Sequence, residues 1–402
     1  MQAVKILFLC HRVPFPPNEG GKIRSFNMIR HLHDQGHQVT VASMARNDPE
    51  MADAQGLRAY CHDLMLAQVN ELSQKIKMVA RLFCLDPSSM GYFHSAPLIR
   101  EVNDRIKHEN FDLIIVHCSS VAPYVADVTD IPKLLDFADM DSQKWLIYSK
   151  IKKWPLSWGY WLEGSKLLRA EKKQSLQYDM CTTTTEAETD TLDDYNTGAA
   201  SGWFPNGVDT DYFSPDDTAH NPYEISFVGK MNYYPNEEAV VFFCDEVLPR
   251  LRDKNKRISF TIIGARPSPT VQKLGEREGV TVTGFVEDVR DYLRQSALMV
   301  APLNIARGVQ NKILEAMSLG IPVVSSVLAG KGVDCVPEEH FLTADSPAEY
   351  VTQIMRILDD PLLHRQLAEA GRARMLSHHR WPSAMAKMDR LIDAAIDNHK
   401  NR

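Results

Sequence analysis

The 402-residue chain has no stretch approaching the roughly twenty apolar residues that a bilayer-spanning helix needs, so an integral membrane protein is not expected. It has no Cys-x-x-Cys pair; its seven cysteines are scattered and odd in number, which suits free thiols in a reducing compartment and points to the cytoplasm. The opening residues Met1 to Cys10 carry one lysine and run into charged, proline-rich sequence instead of a small-residue cleavage site, so no secretory leader is expected. Positive charge is not in excess: 45 Lys and Arg against 52 Asp and Glu give a net charge of -7, which argues against general nucleic-acid binding. No G-x-G-x-x-G follows the first apolar run and no acidic residue closes the second, so a dinucleotide-dependent dehydrogenase loses its main support. No internal repeat of 20 to 50 residues is visible.

What is present is an ordinary globular composition, 44% apolar and 24% charged, at a length that suggests roughly two to three domains, of which two fits the motif layout. Val4 to Cys10 predicts a strand buried on both faces, Lys22 to Gln35 an amphipathic helix ended by Gly36, and Gln38 to Ala42 the next strand. The alternation continues through helix Pro97 to Asn110 and strands Asp112 to Val116, Lys133 to Phe137 and Met180 to Thr184, as in a doubly wound parallel sheet. The turn-rich Pro205-Asn206-Gly207 reads as a hinge, after which a second alternation runs from strand Glu224 to Val228 through strand Pro322 to Ser326. Three helices close the chain, the last from Trp381 to Asn398.

The densest chemistry lies between Pro302 and Ser326. Arg307 and Gly308 occupy the turn after the apolar run Leu298 to Leu303, where backbone N–H groups and a guanidinium at a helix start favour a diphosphate. Asn311, Lys312 and Glu315 follow at spacings that share one helix face, and a carboxylate there can accept hydrogen bonds from both hydroxyls of a ribose. A surface ion pair with Lys312 is the plainer reading of Glu315, but apolar residues on both sides of it argue against an exposed position.

The string Lys312-Ile-Leu-Glu315-Ala-Met-Ser-Leu-Gly320-Ile-Pro322-Val-Val resembles the donor-site signature of the retaining glycosyltransferases of family four. Gly20-Gly21, Pro205-Asn206-Gly207-Val208-Asp209, Phe227-Val228-Gly229-Lys230 and Gly284-Phe285-Val286 fall in that family's order. Asn232-Tyr-Tyr-Pro-Asn236 and Ala306-Arg-Gly-Val-Gln-Asn-Lys312 are further similar to the sugar transferases associated with exosortase and exopolysaccharide loci. The resemblance implies a GT-B fold, two Rossmann-like domains facing across a cleft, with an acceptor-binding domain over 1–203 plus 381–402 and a nucleotide-sugar-binding domain over 204–380. The last helix would cross back to the first domain at Trp381-Pro382. It implies a metal-independent transfer of sugar from a nucleotide-diphosphate donor, with no cofactor, to a glycan or lipid-linked acceptor. A GT-B isomerase or hydrolase acting on the nucleotide sugar, and a non-catalytic binding protein, stand as alternatives. One departure is plain: the family carries a glutamate eight positions before the one matching Glu315, and this chain has Arg307 there. An arginine cannot accept hydrogen bonds from sugar hydroxyls, but it can clamp phosphate oxygens bidentately.

The resemblance also assigns Gly229 and Lys230 to the leaving diphosphate, against the alternative of a turn glycine beside a solvated lysine. It places Gly20 and Gly21 in a loop lining the cleft, with Lys22 and Arg24 on the acceptor side or as a helix-start charge pair. His117, at the carboxyl end of a predicted strand, is expected close to the transferred sugar, or is a structural histidine. Asp139 and Asp141 are expected to line the acceptor cleft or cap a helix and not to bind a metal. Finally, Lys144 to Lys173 holds four of the six tryptophans among seven lysines. This suits peripheral contact with anionic lipid at the inner face of a membrane, or a helical hairpin with inward tryptophans.

Overall fold

The computed structural model describes residues 3–18, 20–81, 84–216 and 218–402, which form two compact units, one of residues 1–205 and 385–402, the other of residues 206–384. The first is built on seven strands: β1 (Lys5–Cys10), β2 (Gln38–Ala45), β3 (Asp63–Gln68), β4 (Leu113–His117), β5 (Lys133–Ala138), β6 (Met180–Thr183) and β7 (Ser201–Trp203). The second holds six: β8 (Asn221–Val228), β9 (Ser259–Ile263), β10 (Val280–Gly284), β11 (Ser296–Ala301), β12 (Val323–Ser325) and β13 (Leu342–Thr343). The orders are β3-β2-β1-β4-β5-β6-β7 and β10-β9-β8-β11-β12-β13, every named pairing parallel. Both sheets therefore reverse direction of winding beside their first strand, the point at whose carboxyl edge open α/β sheets place ligands.

The apolar runs that predicted the strands are apolar because helices cover both sheet faces: Ile6 to Cys10, Leu113 to Val116 and Ala297 to Ala301 are all buried. Those three runs accordingly show no period-two alternation. Three of the strands are not announced by apolar runs in the sequence. Strand β3 (DLMLAQ) carries polar residues at both ends, and β7 and β13 are short edge strands whose pairing comes from tertiary context. The segment Pro235 to Arg252, which its sequence reads as one helix, is helical throughout: helix Tyr234–Phe242 passes through one wide π-turn over Phe243–Val247 directly into helix Leu248–Lys254, with Pro249 just inside the latter. The helix start over Pro347 is fixed by a capping box, in which Ser346 and Glu349 satisfy each other's backbone N–H groups.

The terminal helix Trp381–Lys400 begins in the second unit and belongs to the first from Met385 onward. There Asp389 pairs with His31 at 2.9 Å and Asn398 Nδ2 donates to the carbonyl of Asp179 at 2.9 Å. Gly207 is needed where the two chain segments pass: a Cβ on it would lie 2.7 Å from the Trp381 backbone and ring. No helix among the described residues is long and apolar enough to cross a membrane.

Candidate functional site

In the second unit the chain leaves the carboxyl end of β8 through Gly229 and Lys230, and leaves β11 through the loop that holds Arg307 and Gly308. Gly229 packs tightly. A Cβ there would stand 2.6 Å from Asn236 Nδ2 and 3.2 Å from Lys312 Nζ, and Gly264, at φ 148°, brings its own backbone against the Gly229 carbonyl. Asn236 ties the elements together: its Nδ2 donates to the Lys230 carbonyl at 3.0 Å and its Oδ1 accepts from Lys312 Nζ at 2.6 Å. Lys312 Nζ also lies 4.1 Å from the centre of the Phe227 ring, a cation–π contact. Gly229, Lys230 and Lys312 are thus brought to one spot, with Asn236 as the joining residue. The Asn232 to Asn236 motif does not by itself disclose this role of Asn236.

Lys312 and Glu315 sit one turn apart on helix Asn311–Ser318, both half-buried. Burial pushes the Lys312 ammonium down to about 7, with Glu315 opposing, and pushes the Glu315 carboxyl up to about 7, with Lys312 opposing. Glu315 makes no side-chain hydrogen bond among the described residues, so its acceptor capacity is unspent. At the helix start Asn311 Oδ1 accepts from Asn206 Nδ2 at 3.1 Å, and Gln310 Nε2 donates to the Arg307 carbonyl at 3.0 Å. Gly308 takes the left-handed φ of 58°, and its carbonyl comes so close to Gly332 that a Cβ there would sit 2.1 Å away. Arg307 is half-buried in this loop.

In the first unit the equivalent edge gathers residues that follow β1, β4 and β5. His117, 3% exposed, donates from Nδ1 to Asp136 Oδ2 at 2.8 Å, because a carboxylate can only accept. In a neutral ring this leaves the lone pair on Nε2. Asp136 is fully buried and also accepts from Arg24 through both oxygens, at 2.9 Å each, and from Thr182 Oγ1 at 2.9 Å. Burial alone would raise its carboxyl, but the Arg24 charge and the His117 and Arg24 hydrogen bonds hold it well below the usual carboxylate range. Beside His117 stands His11, ring centres 5.9 Å apart, packed edge-on against Phe93. Burial first, and then the neighbouring His117 and Arg12, push its imidazole well below the ordinary range. Just past β4, Cys118 takes φ 82°, and Ala138, the last residue of β5, takes φ 61°. Left-handed backbone in non-glycine residues costs energy that the surrounding structure must offset, and it clusters where side chains are being aimed.

Two acceptor-side expectations are corrected. Arg24 is 2% exposed: besides Asp136 it donates to the carbonyls of Phe204 and Thr183 and stacks 3.6 Å over the Phe204 ring, so it has no face left for a ligand. Lys22 is buried at 7%, its charge acting on Glu50. Both are buried on helix Gly20–Asp34, which is covered all round over this stretch and begins at Gly20, so Gly20 and Gly21 are its first residues and not a loop. Gly21 has open space where a Cβ would be. Asp139 accepts from Thr184 Oγ1 at 3.0 Å, and Asp141 opens helix Asp141–Ile151 with its carboxyl raised by burial despite Lys144. Among the described residues neither joins a cluster of three or more side chains suited to a metal. Asp136 and His11 escaped the sequence reading, although an aspartate inside the apolar run Leu134 to Phe137 is itself a signal, since a buried carboxylate needs a partner.

Two family models match the chain: "Glycosyltransferase Family 4" over residues 19–212 and "Glycosyl transferases group 1" over 222–360. A Xenopus tropicalis protein described as glycosyltransferase 1 domain-containing protein 1 is 25% identical over 143 residues, 34% of this chain and 41% of that protein. The chain thus matches less than half the length of that relative. Among solved structures, HepE of Anabaena in complex with UDP superposes with a TM-score of 0.71 at 14% identity, covering 97% of this chain and 100% of that one. Sucrose-phosphate synthase of Thermosynechococcus elongatus gives 0.70 at 15%, covering 96% and 98%. A putative UDP-N-acetylglucosamine 2-epimerase of Listeria monocytogenes gives 0.57 at 13%, covering 99% and 98%. At these identities the likeness shows the fold.

Proposed function

Because the chain is a GT-B glycosyltransferase, a family 4 domain followed by a group 1 domain, we propose that it transfers a sugar, with retention of anomeric configuration, from a nucleoside-diphosphate donor held by the second unit. The acceptor is a glycan or lipid-linked glycan met by the first unit, in exopolysaccharide or cell-surface glycan biosynthesis at the cytoplasmic face of a membrane, which the exposed tryptophans of the Lys144 to Lys173 segment would contact. The observation that carries the reading is the half-buried Lys312 one turn from a Glu315 whose acceptor oxygens are unspent, beside the tightly packed Gly229. A diphosphate repays Lys312 for its lost hydration, and ribose hydroxyls satisfy Glu315. UDP is the first nucleotide to test, since HepE is seen with it.

The chemistry needs no nucleophile from the protein. A front-face transfer, in which the departing diphosphate oxygen takes the acceptor proton, fits a site that supplies positive charge and no glycosyl-accepting carboxylate. Lys230, Lys312, Arg307 and the backbone N–H groups at the start of helix Asn311–Ser318 stabilise the leaving group. His117 Nε2 accepts a hydrogen bond from the transferred sugar. Arg307, where relatives carry a glutamate, grips the diphosphate or an acidic sugar, and Arg307→Ala weakens donor affinity and turnover together.

The test is product analysis by NMR after a thermal-shift screen of nucleotide sugars. A retained anomeric centre on an acceptor, formed at full rate in chelator, is expected. Donor turnover without acceptor would instead favour isomerase or hydrolase chemistry, and loss of rate on chelation with rescue by magnesium would contradict the metal-independent mechanism.

A further inference from the structure

Helix Glu71–Ala80 is amphipathic with its apolar face turned to solvent. Leu72, Ile76 and Val79, spaced to share one face, are 69%, 63% and 55% exposed, whereas the one buried side chain is the polar Gln74, which donates to the His94 carbonyl at 3.1 Å. A helix that hides its amide and shows its aliphatic stripe is arranged for a solvent other than water. Next to it lies a second apolar set. Helices Asp141–Ile151 and Leu156–Ser175 form a hairpin in which Trp145 and Tyr148 pack inward on Tyr160, while Trp154, Trp158 and Trp161 stand 82%, 57% and 52% exposed. The two sets adjoin within the first unit. Lys166, on the helix that carries Trp158 and Trp161, donates to the carbonyl of Arg81, the residue that caps helix Glu71–Ala80, at 3.2 Å. Buried Glu163 of the same helix accepts from the backbone of Ser88 and Ser89 beyond it.

We propose that helix Glu71–Ala80 and the Trp154 to Trp161 stretch form one face that docks in the headgroup layer of an anionic bilayer. Charge selects this occupant. In a chain of net charge -7, Lys75, Lys77 and Arg81 outnumber Glu71 on one element, and Lys150, Lys152 and Lys153 precede the tryptophans with no acidic residue before Trp161. Aliphatic residues entering the acyl boundary, tryptophans at the headgroup level and lysines beside them are the division of labour that interfacial helices use. The purpose of the docking, delivery of a lipid-linked acceptor, rests on the proposed function, whereas the surface itself does not.

The test is co-sedimentation of the full chain with vesicles of phosphatidylcholine alone and of phosphatidylcholine mixed with phosphatidylglycerol. The chain is expected to pellet with the anionic vesicles. The double variants Ile76→Asp/Val79→Asp and Trp158→Ser/Trp161→Ser should each weaken that partition about tenfold or more. Leu362→Asp, an exposed leucine of the second unit, should leave it unchanged. UDP affinity, measured in parallel, should be equal in all variants; its absence with vesicle binding intact would count against the donor site and in favour of this face. The proposal is overturned if the chain stays in the supernatant with both vesicle types. It is equally overturned if sedimentation velocity shows a dimer that Ile76→Asp/Val79→Asp dissociates, which would assign the face to a second copy.

Discussion

Asp136 and His117 are joined through a 2.8 Å hydrogen bond inside the first unit, and the same carboxylate is held by both forks of Arg24. The arrangement sets the histidine's orientation and places its Nδ1–H on the carboxylate, leaving Nε2 as the atom turned away from it. Asp136→Asn removes the negative charge that this N–H faces and strands the Arg24 guanidinium. Transfer is expected to fall by roughly 10²-fold or more. Stability should drop by about 3–5 kcal/mol, as when one partner of a buried ion pair is deleted. Arg24→Ala should show a similar stability loss with UDP affinity intact. Chemical denaturation together with a UDP titration separates the two effects; a variant of either residue that weakened UDP binding without lowering stability would contradict the account.

Gly229 offers a cleaner probe of the donor side. Its missing Cβ leaves room for Asn236 and the Lys312 ammonium, so Gly229→Ala must push one of them aside. About a tenfold loss in UDP affinity is expected, since roughly 1.4 kcal/mol of misplaced charge contact suffices. Calorimetry checks this; unchanged affinity would show that Lys312 does not reach the nucleotide.

Protonation supplies another test. In the unliganded protein Lys312 and Glu315 both titrate near 7. A bound diphosphate favours the charged lysine, so above that pH binding must take up a proton and affinity falls as pH rises. Ribose hydroxyls favour the charged glutamate, so below it binding must release a proton and affinity falls as pH drops. A maximum near neutrality, with proton uptake on the alkaline side and release on the acid side, is expected from titrations in buffers of different ionisation enthalpy. A profile flat from pH 5.5 to 8.5 would contradict it.

The two-sheet architecture is legible because parallel strands covered on both faces read as unbroken apolar runs, and the donor edge because Gly229 and Lys230 follow one strand while Lys312 and Glu315 share one helix. Short edge strands carry no such run, which hid β7 and β13. Arg24 was misplaced because a basic residue near a helix start looks solvated in sequence, and only the fold reveals that Asp136, more than a hundred residues away, awaits it. Asn236 is hidden for a related reason: a single amide joining the loop after β8 to a helix residue 76 positions away leaves no pattern within one strand or helix.

The central claim is that a nucleoside diphosphate binds the carboxyl edge of the second unit through Lys312 and Glu315. Isothermal titration of UDP into the wild-type chain, Lys312→Met and Glu315→Gln, with His117→Ala as control, tests it most directly. The account predicts saturable binding that each second-unit substitution weakens at least about tenfold, equivalent to roughly 1.4 kcal/mol, while His117→Ala leaves it unchanged. Equal UDP affinity across all four proteins would contradict it.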